Sequence, residues 1–161
     1  MVAQSDYQRE PPALSTLRSI LLWTLLLGAA GMMAELLLIG HVESAAQFIP
    51  LVLLATGVLA AIVLLAVPSK TGFTALRILM ILFLGSGIVG IGLHYQGNTE
   101  FELEMHPSLS GIELLSKTLT GATPVLAPGS MSLLGVIGLA STYRHPLLRG
   151  HAPESAEETH S

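Results

Sequence analysis

The sequence predicts an all-α integral membrane protein: four transmembrane helices in an up-down-up-down bundle, with a short extended segment and an interfacial helix in the outer loop between the third and fourth. Three observations carry that prediction. Of 161 residues, 51% are hydrophobic and only 11% charged, whereas soluble domains carry charge at about a quarter of positions. The apolar residues gather into four runs, each long enough to cross about 30 Å of hydrocarbon with roughly 20 residues. Finally, six of the seven basic residues fall on one side of a four-span path, as expected when lysine and arginine are held on the cytoplasmic side. The mean hydropathy of +0.67 agrees with the first two.

Composition also removes whole classes of function. The chain has no cysteine, which excludes a disulfide framework, a thiolate metal site, an iron–sulfur cluster and a cysteine nucleophile. Seven basic against 11 acidic side chains give a formal charge of −4, so there is no basic surface of the kind nucleic acid requires. No glycine-rich phosphate loop, HExxH pair or GxSxG elbow occurs, which turns the reading away from an enzyme.

Residues 1–13 (MVAQSDYQREPPA) are too polar to build a core and read as a disordered cytoplasmic tail. The membrane domain, 14–143, opens with a first span over about 14–39. Its Leu-rich start and small residues Gly28-Ala29-Ala30-Gly31 imitate a signal peptide, but the apolar run continues through Leu36-Leu37-Leu38-Ile39 and so reads as an uncleaved helix. The second span, about 45–67, contains no charged residue, and the third covers about 73–93. The fourth, about 123–141, lies in an uncharged stretch whose start is blurred by Pro124 and Pro128-Gly129; Pro128 suits the first helical turn, where a missing N–H costs nothing. Tyr143-Arg144-His145-Pro146 follows as an interface anchor and helix stop, and 144–161 reads as a mostly disordered cytoplasmic tail. Arg9, Arg18, Lys70, Arg77, Arg144 and Arg149 then lie inside and Lys117 outside, with both termini cytoplasmic, and the expected address is a bacterial inner (plasma) membrane.

Helices associate in lipid through small residues and interhelical hydrogen bonds. Gly28 and Gly31 in the first span, Gly85, Ser86 and Gly90 in the third and Gly135 and Gly138 in the fourth are the expected packing surfaces.

Glu35, flanked by Met32-Met33-Ala34 and Leu36-Leu37-Leu38, is an ionisable group in an apolar run, and such groups turn inward and take partners. It follows Arg18 by 17 residues, as His94 follows Arg77, so the two share a height roughly 25 Å from those arginines at about 1.5 Å per residue. Glu35, His94 and His41 would suit a divalent cation or a proton relay. The simpler reading is a structural Glu–His hydrogen bond or a glutamate reaching the interface.

The outer loop, 94–122, is long for a bare connection. Glu100, Glu102 and Glu104 alternate with Phe101, Leu103 and Met105, a period-two pattern that predicts a short strand with one acidic face. Gly97-Asn98 supplies turn chemistry before it and Pro107 stops it. Ser110-Gly111-Ile112-Glu113 has capping-box spacing, which predicts a helix over about 111–120 ended by Gly121, with Ile112, Leu115 and Leu119 on one face to lie flat at the interface. The three carboxylates with His94 and His106 form an oxygen- and imidazole-rich set for metal, but the unpaired strand edge favours docking of a protein partner, or simple capping of the bundle, over metal binding. The expected function is an accessory or scaffold subunit that packs in a larger membrane assembly, as a homo-oligomer or with another membrane protein. The alternatives are a cation- or proton-coupled transporter or channel component and a metal-dependent membrane enzyme, both using the Glu/His cluster.

Overall fold

The computed structural model describes residues 11–40 and 45–148. Arg9, His41, Arg149 and most of both expected tails lie outside them. Among the described residues five α-helices follow in chain order: α1 Pro12–Leu38, α2 Ala45–Ala66, α3 Lys70–Met105, α4 Gly111–Leu119 and α5 Gly129–Thr142, with a 3-10 turn at Pro146–Leu148. Three of them, α1 to α3, are long and apolar enough to cross a membrane.

Local chemistry sets the ends. α1 starts on Pro12, whose absent N–H is not needed in a first turn, and closes over Gly40 at φ +69, the left-handed conformation glycine adopts freely. Pro68 stops α2 from running on, and the Ser69 hydroxyl opens α3 by accepting from Gly72 N at 3.1 Å. α3 ends at His106, held out of the helical region (φ −139, ψ 79) because Pro107 follows it.

Three expectations need correction. The acidic segment Glu100–Met105 is not a strand: α3 runs through it unbroken for 36 residues, and the described residues contain no strand. Period two was outweighed by composition, since Glu, Leu and Met are good helix formers and extending an existing helix carries no nucleation cost. Glu100 and Glu104 consequently share a helical row with Gln96, which donates to Glu100 Oε1 at 2.8 Å, while Glu102 turns to another side. Ser110 makes no side-chain capping bond, because the chain enters α4 through Gly111 at φ +59 rather than through a helical first residue. The expected fourth span is a 14-residue helix, about 21 Å at 1.5 Å per residue, entered by tight turns from Pro124 to Pro128. Pro128 is its N-cap, not its first residue.

One apolar core draws on Leu22, Leu25 and Ala29 of α1, Leu54 and Leu64 of α2, Phe73, Leu76, Met80 and Phe83 of α3, and Met131 and Leu134 of α5. α1 packs on α2 and α5, and α3 on α2, α4 and α5. The outer faces are apolar too: Trp23 and Leu27 on α1, Leu59 and Ile62 on α2, Ile88 and Val89 on α3 and Leu133 on α5 are all exposed. A water-facing surface would not carry so continuous an apolar coat. Several hydroxyls on these helices are satisfied locally: Thr24, Thr56 and Thr74 each donate to the carbonyl four residues back at 2.9 Å.

α3 and α5 approach each other closely at their backbones. A Cβ on Gly135 would stand 2.7 Å from Met80 O and 2.9 Å from Leu84 N, and the Ser132 hydroxyl donates across the same seam to Leu84 O at 3.0 Å. Gly28, Gly87, Gly90 and Gly138 are also closely faced by neighbours, Ser86 is half-buried, and Gly31 and Gly85 meet open space.

Candidate functional site at the Asn98 end

At 36 residues α3 is roughly 54 Å long at 1.5 Å per residue, well beyond the roughly 30 Å of a hydrocarbon core. Its last third, where Gln96, Asn98, Thr99 and three glutamates enter the sequence, carries α4 on its side.

Asn98 makes the joint. It is 2% exposed, and both ends of its amide are used. Nδ2 donates to Thr118 O at 2.9 Å and Thr123 O at 2.8 Å, while Oδ1 accepts from Thr123 N at 3.1 Å and Thr123 Oγ1 at 2.7 Å. Thr99 Oγ1 and Thr118 Oγ1 lie 3.2 Å apart beside it. Gly121 leaves the room this needs, because a Cβ there would come within 2.9 Å of the Asn98 amide. Asn98 therefore ties one helix to the end of the next and to the loop after it. Four bonds on one buried side chain make the joint specific in geometry.

One helical turn earlier, His94 Nδ1 lies 3.0 Å from Pro124 O. A carbonyl only accepts, so Nδ1 carries the proton and Nε2 of a neutral ring keeps its lone pair. This contact fixes the start of the Pro124–Pro128 turns against α3.

The other sequence-predicted site residues are distributed as follows. Glu35 is exposed one turn from the end of α1, Glu100 and Glu104 are exposed, Glu102 is half-buried and His106 is exposed beyond α3. His41 lies outside the described residues. Among the described residues no group of three or more His, Asp or Glu side chains is placed to hold a metal ion.

α4 has two distinct faces. Leu114 and the fully buried Thr118 point inward, whereas Ile112, Leu115 and Leu119 are exposed, Ile112 at 85%. An exposed apolar row thus sits on an element held in one orientation by Asn98.

The opposite end has a polar joint of its own. Arg18, expected as a boundary marker, is buried and donates from Nη1 to Ser141 O at 3.0 Å. A cation here meets the carbonyl-rich end of α5. The His145 ring stacks on Phe73 with centroids 3.9 Å apart. The start of α1, the end of α2, the start of α3 and the end of α5 meet here, where Ser15, Leu64, Pro68, Phe73 and His145 line one small cavity. Sequence reasoning missed Asn98, read as a turn residue, and the inward turn of Arg18 and His145. The available signal for Asn98 was its place in helical register, four residues after His94 and four before Glu102.

No family model matches the chain, and neither a characterised protein nor a solved structure does.

Proposed function

We propose that this chain is an integral membrane protein whose helices α1, α2, α3 and α5 cross the bilayer in up-down-up-down order, with both termini cytoplasmic in a bacterial inner membrane, and that it serves as an accessory or scaffold subunit. The short α5 completes its crossing with the Pro124–Pro128 turns, which meet α3 where His94 contacts Pro124 O and Gly90 faces Pro128. On this reading the α3 extension and α4 stand outside the hydrocarbon as a platform and dock a membrane-protein partner. The observation that carries the proposal is the exposed row Ile112, Leu115 and Leu119 on a helix locked by Asn98. A rigid apolar row rimmed by Glu113 and Lys117 has the composition of an interface centre with a polar rim.

A photo-reactive phenylalanine analogue at Ile112 tests this in cells. The expected result is a covalent adduct of one discrete protein mass, abolished when Leu115 and Leu119 are both changed to Ser. Adducts to lipid alone, or none, contradict a docking role for α4.

A further inference from the structure

An open groove lies between α1 and α5 at the Arg18 end, with a volume of about 670 Å³. That lies within the roughly 300–1,000 Å³ typical of sites for small organic ligands. Leu14, Leu17 and Leu21 form one wall, and Val136 and Leu139 the other. Among the described residues lining it, the polar ones are Arg18, Tyr143 and Arg144, and the two charged ones are basic and lie beside an apolar channel.

The chain is bent to put Arg144 there. Among the described residues Arg144 is the single non-glycine residue with positive φ, at 50°, a conformation that costs energy for a side chain with a Cβ. It falls where α5 stops at Tyr143 and the backbone reverses, with His145 N bonded to Thr142 O at 3.2 Å and the His145 ring stacked on Phe73. Arg18 lines the same end of the groove, held by its bond to Ser141 O at 3.0 Å.

An apolar slot with cations at one end complements an amphiphile with an acyl chain and an anionic head. We infer that the groove binds one anionic phospholipid, with an acyl chain between Leu17 and Leu21 on one side and Val136 and Leu139 on the other, and its phosphate at Arg144. The inference rests on the membrane reading above, because only a chain in a bilayer meets this ligand at high local concentration. Arginine suits the role because its planar fork pairs with phosphate oxygens through two parallel hydrogen bonds.

The test uses the full chain purified in mild detergent, offered equal amounts of phosphatidylglycerol and phosphatidylcholine and examined by native mass spectrometry. One phosphatidylglycerol should remain bound per chain, preferred by about fivefold, the scale of one basic residue at an anionic surface. Arg144→Gln should remove the preference, and Leu17→Trp, which fills the groove from an exposed position, should remove the bound lipid. Equal retention of both lipids, a preference that survives Arg144→Gln, or a lipid-free dimer with a second copy in the groove would each overturn the inference. The membrane reading is checked separately through Trp23, the one tryptophan in the chain, exposed on α1. Its fluorescence should be quenched in vesicles of brominated phosphatidylcholine, whatever the groove binds. Unquenched Trp23 would overturn the membrane reading and the lipid inference with it, whereas quenched Trp23 with no lipid preference would overturn the lipid inference alone.

Discussion

Changing Asn98 to Asp should release α4 from α3 while leaving the helices themselves intact. The substitution keeps size and shape, so packing is unaltered. However, the two donations to Thr118 O and Thr123 O become a carboxylate oxygen facing two carbonyls. A buried polar group left unsatisfied costs about 1–3 kcal/mol, and more when charged, so a loss of about 3 kcal/mol or more is expected in an unfolding titration in detergent. The loss should be localised. Hydrogen exchange should rise over 111–123, which Asn98 holds, and stay unchanged in α1 and α2. Asn98→Leu should show the same regional pattern through unmet Thr118 and Thr123 groups. Uniform exchange across the chain, or protection of 111–123 equal to that of the native protein, would contradict the role given to Asn98.

Gly135→Leu should be strongly disruptive in the α3–α5 seam. Its Cβ alone would meet Met80 O at 2.7 Å and Leu84 N at 2.9 Å, and both are backbone atoms that cannot rotate away. The helices must separate, which breaks the Ser132 to Leu84 hydrogen bond and opens the contact of Leu134 with the core. Overpacking usually costs about 1–3 kcal/mol, and the upper end is expected where the obstacle is backbone. Gly85→Leu is the informative partner, because nothing lies within 4 Å of a Cβ at Gly85. Thermal unfolding in detergent should show a large loss for the first and nearly none for the second. Equal effects would mean that the seam is not where the structure puts it.

These two glycines show what a sequence can and cannot disclose. Both occur in apolar, glycine-bearing helices, and nothing in composition separates one that faces a backbone from one that faces open space. The long apolar helices were legible because a run of about 20 residues without charge has few other uses, and α1 and α2 lie within two residues of where hydropathy places them. The segment at Glu100–Met105 misled because alternation describes a strand only if nothing upstream has already nucleated a helix. Here α3 arrives fully formed, and Gly97-Asn98 does not break it because the Asn98 side chain is engaged by a loop 25 residues away. Long-range hydrogen bonds of that kind leave no local mark. Arg18 is a similar case: its spacing suggested an interface, but its contact is with Ser141, 123 residues later.

On the proposed membrane reading, the exposed apolar coat faces lipid, with the α3 extension and α4 on one side of the membrane and the α2–α3 turn on the other. A chain without cysteine permits a clean measurement by single substitutions: Thr71→Cys at the start of α3, Ile88→Cys on its exposed middle face and Ser116→Cys on α4, each probed in sealed oriented vesicles with a membrane-impermeant maleimide. Thr71→Cys and Ser116→Cys should label from opposite sides, and Ile88→Cys, although 60% exposed, should label from neither. Labelling at Ile88 in intact vesicles, or of Thr71 and Ser116 from the same side, would contradict this topology.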